Sequence, residues 1–194
     1  FMGTPAYMSP EQAEMSALDI DTRSDIYSLG VLLYQLLTSR TPFDGQELLA
    51  SGLDAMRRTI REKEPVRPST RLAALGPEEL TTTAQLRSVD TSRLVHQLRG
   101  DLDWIVMKCL EKDRQRRYES ANGLAADLQR HLNNEPVVAR PASAAYRFQK
   151  AFRRNRLAFS AAAAVFAALL VGITVSTWQS IRATKFASLA EARF

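Results

Sequence analysis

The chain has 194 residues, 45% of them hydrophobic and 24% charged, with a formal net charge of +5. That length suits one modest domain with its own core, not several. The single cysteine, Cys109, excludes an internal disulfide and fits a reducing compartment, while His96 and His131 lack Cys or carboxylate partners at zinc-ligand spacing, so no metal site is predicted.

The first 45 residues hold two separated patterns. Gly3-Thr4-Pro5-Ala6-Tyr7-Met8-Ser9-Pro10-Glu11 reads as a loop, and from Thr22 the sequence runs TRSDIYSLGVLLYQLLTSRTPF. Apolar residues fall on every side of the helix predicted over Ile26–Leu37, which therefore has no solvent face and belongs in a core. Thr22 and Asp25, three positions apart, have the form of a capping box at its start, and Pro42 follows its end. The stretch Leu48–Ile60 predicts a more exposed helix, interrupted at Gly52 and closing with Arg57 and Arg58.

Residues 63–100 contain Pro65, Pro68 and Pro77 among many Thr, Ser and Arg, which reads as a solvated insertion with one short helix near 90–98. Leu102, Ile105, Val106, Cys109 and Leu110 then recur at helical spacing and predict a stripe packed on the buried helix. A second stripe, Ala121, Leu124, Ala125, Leu128 and Leu132, follows a Ser120 cap. Pro136 and Pro141 end the helical pattern and mark a domain boundary.

Three of these motifs, in this order and spacing, resemble the protein kinase family. Ser9-Pro10-Glu11 stands where that family closes its activation segment with A-P-E. Arg23-Ser24-Asp25-Ile26-Tyr27-Ser28-Leu29-Gly30 resembles the helix that follows, and Leu110 to Tyr118 resembles the late D-P-x-x-R motif, with Arg114 in place of proline. The serine at position 9 is similar to bacterial-type Ser/Thr kinases.

The resemblance implies a mainly α fold: the lower part of a kinase C-lobe from the end of the activation segment onward, over residues 1–136, with an insertion at about 64–100. It implies that Glu11 and Arg117 meet as a buried ion pair supporting the active site. It gives Asp25 a carboxylate aimed at catalytic-loop amides; capping its own helix is the plainer role, and the two are compatible. Thr4 and Pro5 are implied to shape the substrate loop for a serine or threonine acceptor. The parent protein would transfer the γ-phosphoryl group of ATP, with Mg2+, to Ser/Thr of protein substrates. The catalytic base, the metal ligands and the ATP-binding residues have no counterpart here, so no catalytic residue is assigned within this chain, which is expected to be inactive alone. Both ends read as cut. The alternative reading is a membrane-tethered pseudokinase or scaffold that binds partners without catalysis.

Arg147, Lys150, Arg153, Arg154 and Arg156 account for a charge equal to the whole net +5. No basic stripe with interleaved aromatics remains elsewhere, which excludes a nucleic-acid partner. These cations are expected at lipid headgroups, on a short basic linker over 137–156. Behind them, residues 157–178 carry no charge and as a helix would span about 33 Å, enough for a bilayer core of about 30 Å. One transmembrane helix is predicted, with the N-terminal part cytoplasmic because the basic cluster precedes it, and with residues 179–194 beginning a tail outside. Ala164, Ala168 and Gly172 recur every four residues, a stripe that suits a homodimer of spans.

Overall fold

The structure, a computed structural model, describes residues 4–14, 21–86 and 89–191. Gly3 of the opening motif lies outside the described residues, as do 192–194. Among the described residues the regular elements are all helical.

The opening loop makes one tight turn over Pro5–Tyr7 and then enters α1 (Pro10–Ala13). Ser9 starts α1 with a reciprocal cap: its hydroxyl accepts from the Gln12 amide, and the Gln12 side chain accepts from the Ser9 amide. The central helix α2 spans Thr22–Thr38. Its cap is Asp21, whose carboxylate accepts from the Arg23 amide at 2.7 Å, so the box expected from Thr22 and Asp25 does not form. The helix simply starts one residue earlier than the Thr-x-x-Asp spacing suggests. Two of its faces are buried. Ile26 packs with Ile105, Cys109, Tyr118, Leu124 and Val137, and Tyr27, Val31 and Tyr34 pack with Val106 and Leu110. A third face is not, because Leu29 and Leu32 are exposed (37% and 43%), contrary to the expectation of a helix without a solvent side.

Ser39, in the left-handed conformation, ends α2. Asp44 caps α3 (Gly45–Ala50) through the Gln46 and Glu47 amides. The chain then breaks at Gly52, whose φ of 82° suits a residue without Cβ, before α4 (Leu53–Glu62). Leu48, Met56 and Ile60 bury against Ala13 and Phe43.

The segment expected as a solvated insertion is instead packed. It forms α5 (Pro68–Ala73), α6 (Pro77–Leu86) and α7 (Thr91–Leu98), which enclose Leu72, Ala84, Leu94 and Leu98 in a core of their own. Helix α5 is also tied to α8 (Asp101–Cys109), since the Ser69 amide and hydroxyl both donate to the Asp103 carboxylate at 2.9 and 2.6 Å.

Helix α8 crosses α2 at Gly30 and contributes Ile105, Val106, Cys109 and Leu110 to the core. Burial pushes the Cys109 thiol up to about 12, consistent with packing as its role. In α9 (Ala121–Leu132) the apolar stripe is narrower than predicted: Leu124 is buried, but Leu132 is 72% exposed. The fully buried residue on α9 is Asp127, and it holds what comes next. The amides of Val138 and Ala139 donate to its carboxylate at 2.9 and 2.8 Å, which folds the chain back and delivers Val137 to the core. The folded unit thus runs past the boundary expected at 136. The presumed linker contains α10 (Ala144–Arg154), and α11 (Arg156–Glu191) follows. The segment Arg156–Gln179 of α11 is long and apolar enough to cross a membrane, with a mean hydropathy of 2.3.

A Cβ added at Gly30 would lie 2.5 Å from the Cys109 Cβ and 3.2 Å from Leu110 Cδ2. The Leu110 methyl can shift, but the Cys109 Cβ is fixed to its backbone and can yield only by separating two helices. Gly30→Ala is therefore expected to destabilise the protein by about 1–3 kcal/mol despite alanine's better helix propensity, read as a lowered urea midpoint.

Candidate functional site

Glu11 and Arg117 are 106 positions apart and meet as a two-pronged pair, with Nη1 2.8 Å from Oε1 and Nη2 2.8 Å from Oε2. The capped turn of α1 presents the carboxylate, and the tight turn Arg114–Arg116 presents the guanidinium. Ser24, on the first turn of α2, donates its hydroxyl to Glu11 at 2.6 Å. The remaining Arg117 donors go to the carbonyls of Glu111, Arg23 and Lys112, and its guanidinium lies 5.1 Å from the centre of the Tyr27 ring. Burial pushes the Glu11 carboxyl up, but the bonds from Arg117 and Ser24 outweigh it and hold the group at about 2.

The pair fixes where the opening loop sits. Ser28, one turn beyond Ser24, donates to the Tyr7 carbonyl at 2.9 Å, and the Tyr7 hydroxyl bonds the Gln35 side chain. Thr4 is exposed, and its carbonyl accepts from the Tyr7 amide at 3.0 Å. Thr4 and Pro5 border an open cleft of about 610 Å³ that also takes in Gln35, Arg40, Asp44 and Arg71. Asp25 is exposed on the first turn of α2 and does not join the Glu11–Arg117 cluster.

The five basic residues are not equivalent. Arg147, Arg153, Arg154 and Arg156 are exposed, with Arg154 3.5 Å from Glu135. Lys150 is buried and its ammonium sits 2.5 Å from Asp101 Oδ2, so it is not among the headgroup contacts expected of the cluster. Asp101 gathers further partners. Tyr146 donates to Oδ1 at 2.9 Å, His131 Nδ1 lies 3.4 Å from Oδ2, and Arg140 approaches to 3.7 Å. Burial raises the Asp101 carboxyl, yet His131, Lys150 and Tyr146 together hold it well below the usual carboxylate range. No sequence pattern marked Asp101, because its partners lie 30 to 49 positions away. The one legible hint was an i, i+4 pair of Tyr146 and Lys150 ahead of an apolar run.

Among the described residues no group of three or more His, Cys, Asp or Glu side chains could hold a metal ion. The sequence contains no G-x-G pair, H-R-D or D-F-G. The residues present therefore do not fit ATP or Mg2+, and no step through either is assigned to them.

A capped activation-segment end, clasped by a late arginine and laid across a buried central helix with two more helices beneath, defines the lower lobe of a protein kinase. Residues 1–131 match the protein kinase domain family, and the chain belongs to it. It is 36% identical over 138 residues to the serine/threonine-protein kinase PknB of Mycobacterium tuberculosis, covering 71% of this chain and 17% of that protein. A probable serine/threonine-protein kinase of Streptomyces coelicolor, SCO3848, is 35% identical over 144 residues, covering 74% of this chain and 17% of its own. PknB of Mycobacterium leprae is 33% identical over 138 residues, again 71% of this chain and 17% of the relative. The chain thus spans about one sixth of the length of these curated relatives.

Removing one member of the buried pair strands the other. Glu11→Gln is expected to cost about 3–5 kcal/mol in urea unfolding. A carboxyl held below its unfolded value of 4.5 stabilises the fold above that pH and loses the contribution as pH falls toward about 2. That part of the acid limb should be absent from the Glu11→Gln profile.

Proposed function

We propose that this chain is the substrate-side and membrane-proximal part of a kinase that transfers the γ-phosphoryl group of Mg-ATP to serine or threonine of proteins. The observation that carries the reading is the Glu11–Ser24–Arg117 clasp, which anchors the Thr4–Pro5 loop at the edge of an open cleft. In that setting Thr4 and Pro5 position the acceptor segment. The exposed Asp25 and the exposed Leu29–Leu32 face of α2 are the surfaces on which the catalytic loop and the rest of the lobe pack. The nucleotide and its metal are bound by that remainder, and this chain's share is to hold the acceptor loop and carry the lobe on the membrane.

In this reading residues 157–178 of α11 are the membrane span, and the basic flank before them favours a cytoplasmic kinase lobe. Arg147, Arg153, Arg154 and Arg156 face the lipid headgroups. A single-pass kinase of this layout carries signals between the two sides of the cell membrane.

The test uses the full-length protein and peptide substrates. Thr4→Val is expected to lower kcat/KM for a serine peptide on the order of 10²-fold through misplacement of the acceptor, whereas Thr4→Ser retains most activity. An unchanged rate in Thr4→Val, or equal transfer to tyrosine, would remove the assignment of the loop.

A further inference from the structure

The helix joining the lobe to the apolar span has two unlike sides. At 100° per residue, Tyr146 and Lys150 share one side, and Phe148 and Phe152 lie about 200° around from them. Burial follows that geometry, with Tyr146 and Lys150 4% and 7% exposed but Phe148 and Phe152 62% and 46%.

The inner side is fastened chemically. Lys150 and Tyr146 both reach Asp101, the Tyr146 hydroxyl also accepts from the Val137 amide at 3.1 Å, and Arg140 covers the Tyr146 ring at 4.2 Å. A lysine would not be desolvated in this way on a passive tether, since burial of an ammonium is costly unless it is paired. The outer side forms an aromatic group with the first turn of the long helix. Phe148 and Phe152 each meet Phe159, at ring distances of 5.6 and 5.3 Å. Exposed arginines accompany it at 147, 153, 154 and 156, and a single residue, Asn155, separates the two helices. Aromatic rings beside cations, continuous with an apolar helix, are the composition of a segment seated at the boundary of headgroups and acyl chains.

We propose that α10 is a two-sided anchor: its Tyr146–Lys150 side is clasped to Asp101 of the kinase lobe, and its Phe148–Phe152 side is embedded in the surface of an anionic membrane. The anchor rests on the reading of α11 as a span. It holds the lobe against the bilayer at about one helix diameter, 10–12 Å, with no slack between lobe and membrane.

The test is spin labelling of the 194-residue chain in nanodiscs of phosphatidylcholine and phosphatidylserine, with Phe148→Cys, Phe152→Cys or Val171→Cys one at a time; Cys109 is fully buried and takes no label. All three labels are expected to collide more with oxygen than with a water-soluble nickel chelate, most strongly at 171. Omitting phosphatidylserine should weaken that preference at 148 and 152 but not at 171. A lipid-buried label at 171 with water-exposed labels at 148 and 152 would overturn the anchor alone; a water-exposed label at 171 would overturn the span as well. Indifference of 148 and 152 to the anionic lipid would also overturn the proposal. The clasp is read separately by hydrogen exchange. Amides of 146–154 should be protected in the wild-type chain and lose about tenfold or more of that protection in both Asp101→Asn and Lys150→Met, with α2 unchanged. Free exchange of α10 in the wild-type chain would overturn it.

Discussion

The fold depends on one guanidinium. Arg117 is 3% exposed, and all five of its N–H groups are spent: Nε on the Glu111 carbonyl, Nη1 on Glu11 and the Arg23 carbonyl, Nη2 on Glu11 and the Lys112 carbonyl. A buried cation is tolerated only when its hydrogen-bonding capacity is filled. The acceptors come from the end of the opening loop, the start of α2 and the stretch after α8, so those three pieces must arrive together. Lys112 adds a second cross-tie, donating to the Ile60 carbonyl at 2.6 Å, and burial lowers its ammonium to about 8.

Much of this was legible in the sequence, and the reason is physical. The Glu11–Arg117 pair was implied by the resemblance of Ser9-Pro10-Glu11 and of Leu110 to Tyr118 to kinase motifs, whereas the part played by Ser24 came only from the structure. The break at Gly52 and the apolar stripe of α8 were legible too, since each reflects a local rule of backbone or period. The cap of α2 was misread by one residue, because Asp21 and Thr22 are both good caps and only the backbone decides between them.

What escaped has a common cause. Of the packed helices of 68–98, the one expected near 90–98 is present as α7, but α5 and α6 were not foreseen, since Leu72 and Ala84 are dispersed among prolines and threonines. Asp101, Asp103 and Asp127 are each 7% exposed or less, yet carboxylates read in a sequence as surface. Each one holds a separate segment in place: α10, the start of α5, and the return at 137–139. Burial raises the Asp127 carboxyl, but the Val138 amide, Arg130, the Ala139 amide and Tyr118 outweigh it and keep it low. These segments are held by hydrogen bonds to buried anions, a mechanism that leaves no periodic signature in the sequence.

The junction at Asn155 has a mechanical consequence. Helix α11 has 36 residues and so is about 54 Å long, and it starts one residue after a helix clasped to the lobe, with Phe159 bracing the junction against Phe148 and Phe152. It acts as a long lever on a short fulcrum. With the junction braced, a rotation of the lobe by about 5° carries the far end about 5 Å sideways over that length; conversely, a sideways push of that size at the far end reaches the lobe as a rotation of a few degrees. Such gearing trades distance for torque, so the lobe feels how the rod leans far more than where its tip travels.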